Sequence, residues 1–173
     1  AGSNDTAHAI KLSNACKECG ADALLSVSPY YNKTTQAGLI AHFSAIANNV
    51  DLPIILYNVP GRTNININPE TVAELAKLDN IVAIKECNLN QVGDVINLCP
   101  EDFTVYSGED GLIVPLLSLG GEGVISVLAN VCPQETHDIV SNYLNGNIDD
   151  ARKLQLKYLD LVSALFCETS PIP

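Results

Sequence analysis

One lysine in this chain stands where lysines are seldom found. Lys85 closes the apolar run Ile81-Val82-Ala83-Ile84 and is followed at once by Glu86. Lysine is among the residues least often buried, and β-runs tend to exclude it. Either the run reaches water at Lys85, or the amine is held in a pocket because something reacts with it. The reaction would be attack on a carbonyl to form a Schiff base. That requires a neutral amine, which desolvation or a cationic neighbour supplies by lowering the lysine pKa. Tyr57 closes the run Ile54-Ile55-Leu56. It offers either a phenol that shuttles protons for imine chemistry or a ring that only packs.

Other residues fit the same chemistry. Arg62 follows in "YNVPGRT", on a loop bent by Pro60 and Gly61; the chain's other arginine is Arg152. An arginine there suits a bidentate carboxylate contact, or it is a surface charge. The stretch "PYYNKTTQ" sets Tyr30 beside Tyr31. Adjacent side chains point apart, so one tyrosine would face the site and the other a partner subunit; the pair equally suits an interface with no catalytic task. The glycine-rich "GGEGVISVLAN" precedes a strand, whereas a phosphate cradle follows one. His8, His42 and His137 fit no ligand or triad spacing and are expected on surfaces or helix faces. Six dispersed cysteines read as reduced and mostly buried. Cys16 and Cys19 form one C-x-x-C, which alone lacks the four ligands of a structural zinc site.

These residues hang on a regular alternation of elements. Helical patterns begin at Asn4 or Asp5, run to Gly20, and recur over "TQAGLIAHFSAIANN", "NPETVAELAKL", "NQVGDVINLC" and "DGLIVPLLSL". Strand-like runs occupy 23–28, 53–58, 81–86, 103–108 and 124–128, and helices over 133–145 and 149–166 close the chain. Asn68 is the expected cap of the third helical stretch, with Pro69 at its first position. Continuously apolar strands joined by helices mean a parallel sheet covered on both faces, either doubly wound or a (β/α)8 barrel. Tyr30-Tyr31, Tyr57-Asn58, Lys85-Glu86 and Ser107-Gly108-Glu109 all sit at C-terminal strand ends. A ring on that rim favours the barrel, and no G-x-G-x-x-G follows any strand.

The bulk numbers narrow the classes. The chain has 173 residues and a net charge of −11, from nine Lys+Arg against twenty Asp+Glu. Such a field repels nucleic acid and anionic membrane, so neither is an expected partner. No apolar run approaches the ~18 residues of a membrane helix, no signal-peptide pattern opens the chain, and a cytosolic setting is expected. A full barrel takes ~250 residues, so five strands read as its later part. The chain has no methionine, even at position 1, and is expected to be a piece of one longer catalytic domain.

Together, "SPYYNKTTQ", "LPIILYNVPGRT", "IVAIKE", "YSGED", "GGEGVISVLANV" and "ETSPIP" resemble the dihydrodipicolinate synthase family over essentially the whole chain. These are pyruvate-dependent class I aldolase-type (β/α)8 barrels. The resemblance implies condensation of pyruvate with L-aspartate 4-semialdehyde, a lyase step on the path to diaminopimelate and lysine. It implies no metal and no organic cofactor, because the lysine itself forms the electrophile. Lys85 would condense with pyruvate, Tyr57 would donate and accept protons, and Tyr31 would reach into a neighbour's site within a homodimer or a homotetramer built as a dimer of dimers. Arg62 would hold the semialdehyde carboxylate, and Gly108 and Ile125 would line the pyruvate pocket, Ile125 through its backbone. Lysine-inhibited relatives carry an effector site whose remnants here would be Asn4, Tyr30 and the position of His8, where a carboxylate is expected. The first strands, with the threonine pair of the proton relay, would precede Ala1, and further helices would follow Pro173. The activity of this piece alone is therefore in doubt. Sister N-acetylneuraminate lyases or keto-deoxy sugar acid aldolases are the alternative, since they share the tyrosine and lysine but are not expected to share the arginine of "YNVPGRT". A catalytically silent barrel acting as a binding protein is a second alternative.

Overall fold

In the computed structural model, which describes residues 1–173, the alternating patterns become alternating helices and strands. The chain divides into two compact units, Ala1–Val105 and Tyr106–Pro173.

The first unit opens with helix α1 (Thr6–Glu18), and Asp5 rather than Asn4 is its cap, accepting from the His8 N–H at 2.6 Å. Such a cap is worth ~1 kcal/mol. Gly20 follows the C-terminal cap Cys19 with a φ of +88° that suits glycine, while the Ala21 N–H returns to the Cys16 carbonyl at 3.0 Å. Strand β1 (Leu24–Val27) follows, then α2 (Gln36–Ala47), capped by Thr35. Helix α2 buries Leu39, Phe43, Ile46 and Ala47, as its apolar spacing requires, but also His42. That histidine is not at the surface: it is 5% exposed, Nδ1 lies 2.8 Å from Thr6 Oγ1, and its ring meets Phe43 edge-on. Burial pushes its pKa down, with the Asp5 charge opposing.

Strand β2 (Ile54–Asn58) leads into a one-turn helix, α3 (Pro60–Thr63), and then α4 (Pro69–Leu75). Asn68 does not cap α4 with its side chain; Asn66 Nδ2 occupies its Oδ1 at 3.0 Å. Strand β3 (Ile81–Glu86) spans the "IVAIKE" run residue for residue, and a 3-10 turn (Leu89–Gln91) opens α5 (Val92–Leu98). Strands β1, β2 and β3 pair in parallel, with Val27 opposite Tyr57. Between β2 and β3 the register breaks: Ile54 pairs with Ile81, but Ile55 pairs with Ala83. Val82 is thus an extra residue, a bulge, and it is 37% exposed. Ile54, Leu56 and Ile84 are fully buried on one face. Each such side chain contributes ~1.5–3 kcal/mol by leaving water.

The second unit begins within strand β4 (Thr104–Ser107), which pairs in parallel with β5 (Gly123–Val124), Tyr106 opposite Gly123. Strand β5 is shorter than the apolar run 124–128 suggests. One further bond, Ile125 N–H to the Ser107 carbonyl at 2.9 Å, ends it. The buried Asp110 carboxylate then takes the N–H groups of Val127 and Leu128, both at 3.0 Å, and the Ser126 hydroxyl. Those donors are lost to any ladder, and the backbone turns into the 3-10 segment Leu128–Asn130. Helices α6 (Ile113–Ser118), α7 (Pro133–Leu144) and α8 (Ile148–Lys157) pack around Ile113, Leu117 and Ile139. The last helical stretch is not continuous: the chain breaks at Tyr158, where ψ is 0°, before α9 (Leu159–Leu165).

Candidate active site

The β2–β3 register places Tyr57 opposite Lys85 and Asn58 opposite Glu86. Paired residues on neighbouring strands share a face and successive residues alternate, so Tyr57 and Lys85 stand on one face and Asn58 and Glu86 on the other. The strand ends are held by backbone bonds on both sides of Tyr57: Ser28 N–H reaches the Tyr57 carbonyl and Cys87 N–H the Asn58 carbonyl, each at 3.1 Å. Lys85 is 9% exposed, and its Nζ lies 4.5 Å from the centroid of the Tyr57 ring. At that distance the ring face attracts the ammonium form. The two residues singled out as nucleophile and proton carrier are therefore neighbours, and the lysine does not stand in open solvent.

Arg62 lies not in an irregular loop but in α3, where Pro60 sits in the first turn with φ pre-set for a helix. The turn is anchored by Thr63, whose hydroxyl donates to the Val59 and Ile65 carbonyls at 3.2 and 3.1 Å. It closes at Asn64, in the left-handed region at φ +59°. Arg62 itself is exposed, four residues beyond the end of β2.

Tyr30 and Tyr31 are 41% and 87% exposed. Tyr31 also holds φ at +72°, a left-handed conformation costing ~1–3 kcal/mol for a side chain of this size. Asn32 ties this loop to the start of α1, donating to the Asn4 carbonyl at 3.0 Å and accepting from Asn4 Nδ2 at 3.3 Å. Asn4 and Tyr30 are thus brought to one place, with His8 exposed in the first turn of α1. In the second unit, Gly108 directly follows β4, and Ile125 directly follows β5. The Ile125 N–H is taken by Ser107, so a backbone contact from Ile125 to a ligand falls to its carbonyl.

No group of three or more His, Cys, Asp or Glu is placed to hold a metal ion. The six cysteines are less buried than expected: Cys19 and Cys167 are exposed and the rest half-buried. Cys19 lies just past the end of α1, where the turn through Gly20 carries it outward.

The residue that sequence reasoning left without a role is Glu86. It is 2% exposed and bonded to Asn58, Gln91 and the Asn88 N–H. Burial pushes its carboxyl up to about 7, while the hydrogen bonds it accepts oppose the shift. The alternation of a strand was the available signal: the residue behind an active-site lysine must face the opposite, covered side, and a charge there needs partners.

The chain is similar to known proteins over its whole length. Residues 1–173 match the dihydrodipicolinate synthetase family, and the chain belongs to that family. It is 62% identical over 172 residues to the 4-hydroxy-tetrahydrodipicolinate synthase of Acetivibrio thermocellus, covering 99% of this chain and 59% of that relative. The structure of the dihydrodipicolinate synthase of Cyanidioschyzon merolae with lysine bound superposes with a TM-score of 0.97 at 46% identity, over 100% of this chain and 60% of that one. The chloride-inhibited enzyme of Acinetobacter baumannii complexed with pyruvate gives 0.95 at 42% identity, over 99% and 60%. The chain thus spans about three-fifths of the length of the relatives it matches. The fold is α/β with parallel strands, a part of a (β/α)8 barrel.

Proposed function

We propose that this chain carries the imine-forming part of a 4-hydroxy-tetrahydrodipicolinate synthase, which condenses pyruvate with L-aspartate 4-semialdehyde on the route to diaminopimelate and lysine. The observation that carries the reading is the buried Lys85 at the end of β3, its Nζ 4.5 Å above the Tyr57 ring. The neutral amine adds to the keto carbon of pyruvate, and loss of water gives an imine. Loss of a methyl proton gives an enamine, whose carbon attacks the aldehyde of the second substrate. Tyr57 supplies and recovers protons at the carbinol oxygen and in the closing cyclisation. Arg62, on its one-turn helix, holds the semialdehyde carboxylate through a bidentate contact, and Gly108 and the Ile125 carbonyl serve the pyruvate end.

Tyr31 acts in the site of a second copy within a homodimer or homotetramer. Its exposure and its left-handed backbone support this, since a strained, solvent-facing tyrosine has little value within its own chain. The reaction needs no metal, because the lysine-derived imine is itself the electron sink. No helix is long and apolar enough to cross a membrane, and we place the enzyme in the cytoplasm.

The test is borohydride trapping in a full-length synthase carrying these residues. Pyruvate and borohydride should leave a reduced three-carbon adduct on the peptide containing Lys85. Lys85→Arg should keep the fold and lose nearly all activity, because a guanidinium stays protonated and cannot attack. An adduct on another lysine of an active enzyme would overturn the assignment.

A further inference from the structure

Glu86 sits at a point where every partner is a donor. Its Oε1 accepts from Asn58 Nδ2 at 2.8 Å and from the Asn88 N–H at 2.7 Å; its Oε2 accepts from Gln91 Nε2 at 2.8 Å. The direction of both amides is set by the backbone of one residue, Ile67. Its N–H donates to Asn58 Oδ1 at 3.0 Å, and its carbonyl accepts from Gln91 Nε2 at 2.9 Å. Asn66 closes the circuit, accepting from Asn58 Nδ2 at 2.9 Å and donating to Gln91 Oε1 at 2.7 Å. With their far ends pinned, Asn58 and Gln91 present N–H groups to position 86. A glutamine there would turn its own N–H against one of them.

This circuit joins the parts that the reaction needs held together. The Asn58–Glu86 rung lies directly behind the Tyr57–Lys85 rung on the same two strand ends. Ile67 and Asn66 belong to the segment that leaves the Arg62 turn. Packing alone does not call for a charge at this point, because a buried ion pair or network can often be replaced by apolar side chains without loss of stability. Above about pH 7, where the carboxyl is ionised, its three directed donors instead fix direction and spacing.

We infer that Glu86 is a positioning residue for the imine-forming lysine: through Asn58, Gln91 and Ile67 it fixes the direction of Lys85, its spacing from Tyr57 and the approach of the Arg62 turn. The inference rests on the reading of Lys85 given above.

The experiment compares wild type, Glu86→Gln and Gln91→Leu in a full-length synthase carrying these residues. It reads the single-turnover rate of the borohydride-trapped pyruvate adduct, kcat, KM for pyruvate and the thermal midpoint. Because a displacement of about an ångström can slow an oriented reaction a hundredfold, Glu86→Gln should slow adduct formation at saturating pyruvate by roughly ten- to a hundredfold. KM for pyruvate should move much less, and Gln91→Leu, which removes one donor, should slow the step in the same direction by less. A folded Glu86→Gln enzyme with the wild-type rate overturns the inference. If Glu86→Gln does not fold, Gln91→Leu decides, and a lowered midpoint with an unchanged rate means that the circuit is structural only. An adduct outside Lys85 in the wild type overturns the underlying reading, and the inference with it.

Discussion

Replacing Glu86 by glutamine should change how stability depends on pH, with a sign and size that follow from its surroundings. The carboxyl is 2% exposed and is pushed up from 4.5 to about 7 by burial, despite the donors from Asn88, Gln91 and Asn58. Between those values the folded chain holds a proton that the unfolded chain has released. The contribution of this group to stability is therefore full below pH 4.5 and is lost as the pH rises through about 7. A rise from 4.5 to about 7 corresponds to ~3 kcal/mol at this nearly inaccessible site. Glu86→Gln removes this titration and leaves the others in place, so His42 and the surface carboxylates cancel in the difference between the two proteins. The assay is urea unfolding of wild type and Glu86→Gln, full length, in steps across that pH range. The wild-type stability minus that of the variant should fall by ~3 kcal/mol from the acid to the neutral end. A difference that stays flat, or rises with pH, would mean that the directed N–H groups keep Glu86 ionised even in acid, and the burial reasoning would be wrong.

Three further outcomes are expected. Mixing an inactive Tyr31→Phe synthase with an inactive Lys85→Ala one should restore part of the activity, because one site of a mixed dimer then holds both side chains intact; subunit exchange without recovery would confine Tyr31 to its own chain. If the effector site that the resemblance implies is built here, His8 replaces its carboxylate and L-lysine should inhibit weakly, because losing a contact that balances the ligand ammonium weakens binding by roughly one to two orders of magnitude; a titration giving half-inhibition well below a millimolar would show another acid in that role. Asp110→Ala should destabilise by ~2–5 kcal/mol, measured by chemical unfolding, because it strips the buried Leu128 N–H and the neighbouring Val127 N–H of their acceptor; a loss near zero would mean that water replaces the carboxylate.

Much of this arrangement was legible in the sequence because it depends on local pattern. The "IVAIKE" strand ends where its apolar run ends, and Tyr57 and Lys85 close consecutive parallel strands, although their direct pairing depends on the bulge at Val82. What was not legible depends on partners distant in sequence. Asn68 reads as a helix cap, yet Asn66 claims its oxygen. The run at 124–128 reads as a strand, yet Asp110 withdraws its N–H groups. His42 reads as one more polar residue on a helix, and only the packing of α1 against α2 shows it to be enclosed. Glu86 needed the most: its role rests on a cross-strand register, two amide orientations and the backbone of Ile67.

The extra residue at Val82 determines which side of the sheet carries the nucleophile. Counting straight from the Ile54–Ile81 pair, Asn58 would lie opposite Lys85, and the amine would point among the packed helices. Because Ile55 pairs with Ala83 instead, every later residue of β3 is carried over by one place, and Lys85 joins Tyr57. The bulge thus acts as a phase shift in a two-letter code, inward or outward, read out three residues later as chemistry. Drawing Val82 into the ladder, with no residue changed, would exchange the places of Lys85 and Glu86, whereas deleting it would remove the bulge and leave both where they are. In this chain the bulge before the lysine matters as much as the lysine itself.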